Sequence, residues 1–526
     1  MATSDLRSAG RSESADPLAV RVTGGLIRGV QEQARFVWRG IPYAAAPVGP
    51  LRLRAPQPVV PWSGIRDCAS FGDISPQARF GQFVGESPDL PSSEDCLTVN
   101  VSAPTVPGGG GGNRPVMVNI HGGGYSVGSS QGFAGEGAVF IDAGQIVYVS
   151  FNYRLGALGY LDFTRYSTPD RPFESNLGLR DQVAALQWVQ ANIGSFGGDP
   201  RNVTVFGESA GGTAVTTLMA TPAAKGLFAR AIAQSPLPNA VYPAELTSRW
   251  AGEFIEILRD RLAVPAAESA ELPDASTLLA ESSAADLTEA AVALQIRVPG
   301  TDPGAVCLAP VIDGEFLPEH PLTAFQNGRA LRVPLIIGTN QREGTVLRGR
   351  SNILPSTSSR VKAVFARAPE SARTPMRRAY PGLPVGRAAI DFGGDYSFWY
   401  PSLKVAEFHS HYAPTYAYRF DVVPRLLRLL GLDATHGIEM YALFDQMGSA
   451  AVKAMGALGG SEQYSRAGAR MRDFWIRFAW GADISGEWPP YTLAHRRTRI
   501  IAQTDRIESD PQAERRLAWE AFLPLG

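Results

Sequence analysis

The chain has 526 residues with 49 basic and 50 acidic side chains, and none of its Lys/Arg runs is dense enough to match a phosphate backbone or an anionic membrane, so a nucleic-acid partner is not expected. Hydrophobic residues at 44% against 19% charged describe a folded globular chain, and no stretch approaches the roughly 18 apolar residues of a membrane span. The opening MATSDLRSAGRSESADP lacks the apolar core of a signal peptide, and Cys68, Cys96 and Cys307 have no metal-ligand spacing, so a cytoplasmic protein needing no metal or cofactor is expected.

In chain order, residues 1–20 read as a flexible leader and 21–526 as a single domain. Cys68 and Cys96 are either two buried thiols or the ends of one closed loop. The Gly108–Gly112 run predicts a surface connection ahead of a strand. Short β-branched or apolar runs bounded by Gly, Pro and Asn then predict buried strands at 116–120, 146–153, 203–206, 231–235, 334–339, 416–420 and 499–503. Between them, Leu179, Val183, Leu186, Val189 and Ile193 fall on one helical stripe. Residues 250–295 predict helices inserted as a cap after the strand ending near Ser235. Strands alternating with helices imply a mostly parallel α/β sheet.

Three matches to G-x-S-x-G occur, centred on Ser126, Ser130 and Ser209. With 55 glycines in the chain, on the order of a few tenths of a match arises by chance, so context must choose. Only Ser209 follows a strand (VTVF) and precedes a helix-forming segment (AGGTAVTTLMA), the setting that exposes a serine oxygen on a sharp turn. Ser126 and Ser130 sit in the glycine-dense HGGGYSVGSSQG. That loop has a use of its own, because the N–H groups of Gly123 and Gly124, with that of Ala210 beside the nucleophile, can form an oxyanion hole.

A serine nucleophile needs a histidine base and an orienting acid, in the chain order Ser, acid, His. Downstream lie His320, His409, His411, His436 and His495. His409 and His411 read as a surface pair on a helix, while His436, in a loop after the strand at 416–420, is the histidine that position favours. For the acid, Glu343 directly follows the strand at 334–338, where catalytic groups of such sheets sit, with Asp313 and Asp395 as rivals.

RGIPYAAAPVGPLRLRAP (39–56), SEDCLTVNV (93–101), HGGGY (121–125), NYRLGALGYL (152–161) and the run from Asn176 to Gly212 resemble the type-B carboxylesterases of the α/β-hydrolase superfamily, which include bacterial para-nitrobenzyl esterases and cholinesterases. The resemblance implies an α/β-hydrolase fold with helical insertions capping the site. It implies Ser209 as nucleophile, Glu343 in GTNQREG as acid and His436 in THGIE as base. It further implies an oxyanion hole of Gly123, Gly124 and Ala210, with Glu208 and Ser235 in support. Cys68 and Cys96 match the cysteines that form a disulfide in secreted members. The expected activity is hydrolysis of small-molecule carboxylic esters through an acyl-serine. The alternatives are a catalytically silent interaction protein that keeps the fold, or a lipase or carbamate hydrolase.

Overall fold

In the computed structural model, residues 16–523 are described except 80–85, 88, 106–112, 133, 263–272 and 348–351. The Gly108–Gly112 connection and residues 1–15 of the expected leader lie outside the described residues, and Ala19–Val22 already forms a strand. The main sheet has eleven strands: β1 (Val30–Glu32), β2 (Arg35–Pro42), β3 (Thr98–Pro104), β4 (Arg114–Ile120), β5 (Val147–Phe151), β6 (Gly198–Glu208), β7 (Arg230–Gln234), β8 (Leu335–Asn340), β9 (Thr415–Phe420), β10 (Arg497–Ile501) and β11 (Arg506–Ser509). Their spatial order is β11-β10-β9-β8-β7-β6-β4-β5-β3-β2-β1.

The seven runs predicted as strands are β4 to β10, and all pairings among them are parallel. They read as continuous apolar runs because both faces are covered. Val116, Val118, Val203, Val205, Ala231 and Ile337 point into one core, while Met117, Tyr148, Phe206, Ile232 and Ile336 point into the other, against the helix Ser461–Ala479. The flanking strands β1, β2, β3 and β11 pair antiparallel and were not anticipated.

Helix α1 (Leu177–Asn192) carries the predicted stripe, Ile193 falling in the short turn after it. Helix α2 (Ala210–Met219) follows β6. The expected cap comprises α3 (Ala244–Leu262), α4 (Ala275–Glu281) and α5 (Ala284–Thr301). A second helical insertion, between β8 and β9, comprises α6 (Ser358–Arg367), α7 (Glu370–Ala379), α8 (Gly386–Gly394) and α9 (Tyr400–His409). Apart from the helix carrying His409, sequence reading missed it, because its other helices are short and interrupted.

The sequence signatures are contacts between distant segments. Arg154 and Asp181 form a fully buried ion pair, Nη2 to Oδ1 at 2.6 Å and Nε to Oδ2 at 2.8 Å. Removing one partner of such a pair costs about 3–5 kcal/mol, because the other charge is left buried alone. It holds the 152–161 segment under the HGGG loop, where Tyr153 Oη donates to the His121 carbonyl at 2.7 Å and Gly156 N–H to that of Tyr125 at 2.8 Å. Arg52 pairs with Glu94, Nε to Oε2 at 2.9 Å, and also donates to the carbonyls of Ala280 and Ser282 at the end of α4.

Candidate active site

β4 leads on to β5 at one side, whereas β6 leads on to β7 at the other, so the chain reverses direction between the neighbouring strands β4 and β6. A crevice opens at the carboxyl ends of strands at such a point. Ile120, the end of β4, pairs with Gly207 of β6, which brings the HGGG loop beside Ser209. Ser209 turns the chain from β6 into α2 with φ 59° and ψ −123°. Such backbone costs on the order of 1–3 kcal/mol and persists only where surroundings enforce it. Here the Ser209 N–H donates to the Gln234 carbonyl of β7 at 2.9 Å. The flanking glycines are required by proximity: a Cβ on Gly207 or Gly211 would lie 2.5 or 2.0 Å from the Ile120 carbonyl oxygen.

His436 Nε2 lies 2.8 Å from Ser209 Oγ, and His436 Nδ1 lies 2.7 Å from Glu343 Oε2. Oε1 of Glu343 accepts from Ser235 Oγ at 2.7 Å and from the Asn340 N–H at 2.5 Å, so its carboxylate is held from three sides. The turn carrying Glu343 and the loop carrying His436 are laced together. Arg342 N–H donates to the Ala434 carbonyl at 2.9 Å, Val346 N–H to Thr435 Oγ at 2.8 Å, and the Arg342 guanidinium to Asp433 at 2.9 Å.

Two more carboxylates crowd the histidine. Glu208 Oε1 lies 3.3 Å from His436 Nε2, and Glu439 Oε2 accepts from Asn340 Nδ2 at 2.5 Å. Burial would lower the His436 pKa, but Glu208, Glu343 and Glu439 outweigh it and raise it to about 9. Burial also pushes Glu208 up to about 7, against the pull of His436, and Glu439 up to about 8, reinforced by Glu208 and Glu343. Glu439 and Asn340 escaped the sequence reading, although each lies in a quoted motif, three residues after His436 and three before Glu343. Neither has a spacing signature of its own.

This cluster carries a prediction. A base must be neutral to accept a proton, so kcat/KM of the wild type rises with pH up to about 9 rather than levelling above an ordinary histidine's 6.5. Glu208→Gln removes a charge that is ionised above about pH 7 and holds the proton on His436, so the limb moves to lower pH by about one unit. A pH–rate profile whose limb is unmoved in this variant contradicts the account.

The three positions expected to form an oxyanion hole flank the same point. Gly123 and Gly124 have φ of 110° and 60°, and Ala210 is the first residue of α2. Gly124 and Ala210 line a cavity with Ser209, His436, Leu237, Leu308, Leu347, Ile353 and Phe398, in which only about 30 Å³ is free. The Phe398 ring lies 4.3 Å from the His436 ring, centroid to centroid. On the other side of His436, Gly123 and Glu208 line an open bowl of about 580 Å³ with Glu86, His121 and Ser129.

The rivals are structural. Ser126 Oγ reaches the Gly123 carbonyl at 3.5 Å, and Ser130 Oγ accepts from Asn100 Nδ2 at 2.9 Å. Asp313 accepts from Ser175 Oγ and Asn176 Nδ2, whereas Asp395 accepts from Tyr380 and Arg515. His320 caps the helix Pro321–Gln326 through Nδ1. The expected surface pair is corrected: His409 is buried with Nε2 2.8 Å from the Val333 carbonyl, because α9 turns this face to the sheet, and only His411, past its end, is exposed. Cys68 and Cys96 are free buried thiols, which burial pushes up to about 11 and about 12. Among the described residues, no group of three or more His, Cys, Asp or Glu is arranged to hold a metal, and no helix is long and apolar enough to cross a membrane.

Known proteins share this arrangement of chain. The sequence profile of the carboxylesterase family matches residues 16–519. The para-nitrobenzyl esterase of Bacillus subtilis (strain 168) is 34% identical over 94% of this chain and 96% of its own length. The fumonisin B1 esterase of Sphingopyxis macrogoltabida is 33% identical over 89% and 83%. Among solved structures, a thermophilic para-nitrobenzyl esterase superposes with a TM-score of 0.80 at 32% identity, covering 96% of this chain and all of that one. A Geobacillus stearothermophilus carboxylesterase does so with a TM-score of 0.78 at 29% identity, covering 95% and 100%.

Proposed function

Because this chain belongs to the carboxylesterase family, has the α/β-hydrolase fold and is an ester hydrolase, we propose that it works through an acyl-serine formed on Ser209 with His436 as base and Glu343 as acid. The observation that carries this reading is the unbroken chain from Ser209 Oγ to His436 Nε2 (2.8 Å) and from His436 Nδ1 to Glu343 Oε2 (2.7 Å).

Ser209 Oγ attacks the ester carbonyl carbon as its proton passes to His436 Nε2, and Glu343 stabilises the imidazolium through Nδ1–H. The carbonyl oxygen becomes an oxyanion held by the N–H groups of Gly123, Gly124 and Ala210. Collapse breaks the bond to the alcohol oxygen, which takes the proton from Nε2 and leaves. Water then repeats the sequence on the acyl-serine, releasing the acid and restoring Ser209. Glu208 and Ser235 support the geometry, Ser235 by holding Glu343 and Glu208 by its charge beside His436. The substrate's acyl half occupies the apolar slot, and its alcohol half faces the polar bowl. We take the whole chain from residue 21 as one catalytic domain acting in the cytoplasm, a reading consistent with the free thiols of Cys68 and Cys96.

A series of para-nitrophenyl esters tests both activity and pocket. A slot with about 30 Å³ free holds little more than one or two water-sized groups, so acetate and butyrate esters are turned over well. Overpacking costs about 1–3 kcal/mol, which lowers kcat/KM for the octanoate ester about 10- to 100-fold. Leu237→Ala widens the slot wall and restores much of that loss. No hydrolysis of any ester would refute the function; equal rates for acetate and octanoate would refute the slot.

A further inference from the structure

Helices α6 and α7 of the second insertion carry a charge that nothing in the esterase reaction uses. Residues 358–379 contain six basic side chains against one acidic, Glu370, a local charge of +5 in a chain whose net is −1. Between the helices runs a groove of about 300 Å³, lined by Val361, Lys362, Phe365, Arg373, Arg377 and Leu383, with no acidic residue in its wall. Among the described residues, none of Lys362, Arg373 and Arg377 lies within ion-pair distance of a carboxylate. Arg373 instead donates to the backbone carbonyls of Ala366 and Ala368. The Arg377 guanidinium lies over the Phe365 ring, 5.5 Å from its centroid.

Arg373 and Arg377 are one helical turn apart, where like charges repel, and Lys362 adds to the field from the facing helix. A cationic rim over an apolar floor complements one ligand chemistry: an anionic head on a hydrocarbon chain. Inorganic phosphate or a nucleotide would meet the cations but not the apolar floor, formed by the packed side chains of Val361 and Phe365 and the half-buried Leu383, and a neutral lipid would leave Lys362 and Arg377 without a counter-charge.

We propose that this groove binds a free monocarboxylate with a medium-length hydrocarbon chain, its carboxylate between Lys362 and Arg377 and its chain along Phe365 and Leu383. Such an acid is the product class that ester hydrolysis releases, an identification resting on the function proposed above. The groove is also linked to the turn carrying Glu343 through α8. Its floor residue Phe365 packs on Phe392 of α8 at 5.6 Å, and a Cβ on Gly344, beside Glu343, would lie 2.4 Å from the Ile390 carbonyl of the same helix.

The test is calorimetric titration of decanoate into protein whose Ser209 has been capped by a small fluorophosphonate, which removes the active-site slot as a competing site. One site per chain is expected, weakened about tenfold or more in Lys362→Gln/Arg377→Gln, with decanol binding at least tenfold more weakly than decanoate. Arg373 is left intact because it braces the backbone, and an unchanged melting temperature shows that the double variant is folded. Absence of binding to the capped wild type, equal binding by the double variant, or equal binding of decanol would each overturn the proposal. If Ser209 resists capping, the catalytic reading fails instead, and the same comparison of decanoate with decanol on untreated wild type and variant still decides the groove.

Discussion

Ser209→Ala is expected to abolish ester hydrolysis, lowering kcat by about 10⁶-fold if the loss matches that of a nucleophile in other serine hydrolases. Ser126→Ala and Ser130→Ala should leave turnover within about an order of magnitude. The difference follows from what each oxygen touches. Ser209 Oγ is 2.8 Å from the nitrogen that takes its proton, and its backbone is held on the strained turn. Ser126 and Ser130 touch only a carbonyl and an asparagine amide. Ser130→Ala removes one of the two acceptors of the buried Asn100 amide, which keeps Ser150 Oγ at 3.2 Å, so its deficit, about 1 kcal/mol, belongs in the melting temperature rather than in kcat. Fluorophosphonate labelling followed by peptide mapping checks this independently. A label on Ser126 or Ser130 with Ser209 unmodified would overturn the assignment.

Glu343→Gln should lower kcat by up to about 10⁴-fold, by analogy with removal of the acid's charge in a serine-protease triad. The substitution keeps size and shape, so the fall must come from charge and proton placement. Oε1 of Glu343 accepts two hydrogen bonds, from Ser235 and Asn340, and a glutamine must leave its amide oxygen there. Its NH₂ then faces His436 Nδ1, which can only accept from it, so the ring proton moves to Nε2. Nε2 bearing a proton cannot take one from Ser209. Asp313→Asn and Asp395→Asn should cost far less activity, because their partners are Ser175, Asn176, Tyr380 and Arg515, not His436. Near-normal turnover in Glu343→Gln alongside collapse in Asp395→Asn would show the acid to be misassigned.

The parallel strands, the elbow serine and the HGGG loop were legible in sequence because each rests on local physics. A fully buried strand writes itself as an apolar run, and a turn packed against a neighbouring carbonyl writes itself as glycine, as Gly207 and Gly211 do beneath Ile120. The antiparallel strands β1, β2, β3 and β11 left no such mark: β1 and β11 are short edges, and β3, though fully buried, reads TVNVSAP, alternating polar and apolar side chains instead of forming an apolar run. Nor did the second helical insertion, apart from the helix carrying His409.

For the site, residue types and spacing alone led to Ser209 and to a choice among five histidines and three acids; resemblance to a family narrowed that choice to His436 and Glu343. Only the tertiary structure decides their contacts, because Ser209, Glu343 and His436 come from three separate segments, each following a different strand of one sheet. The same holds for the pH response. A histidine's identity predicts an ordinary pKa near 6.5, but its proton affinity here is set by three carboxylates that meet it through folding, one of them, Glu439, without any signature in the sequence. Short-range steric and hydrophobic rules act along the chain and can be read from it. Electrostatic coupling acts through space, so it exists only once β6, β8 and β9 have brought those groups together.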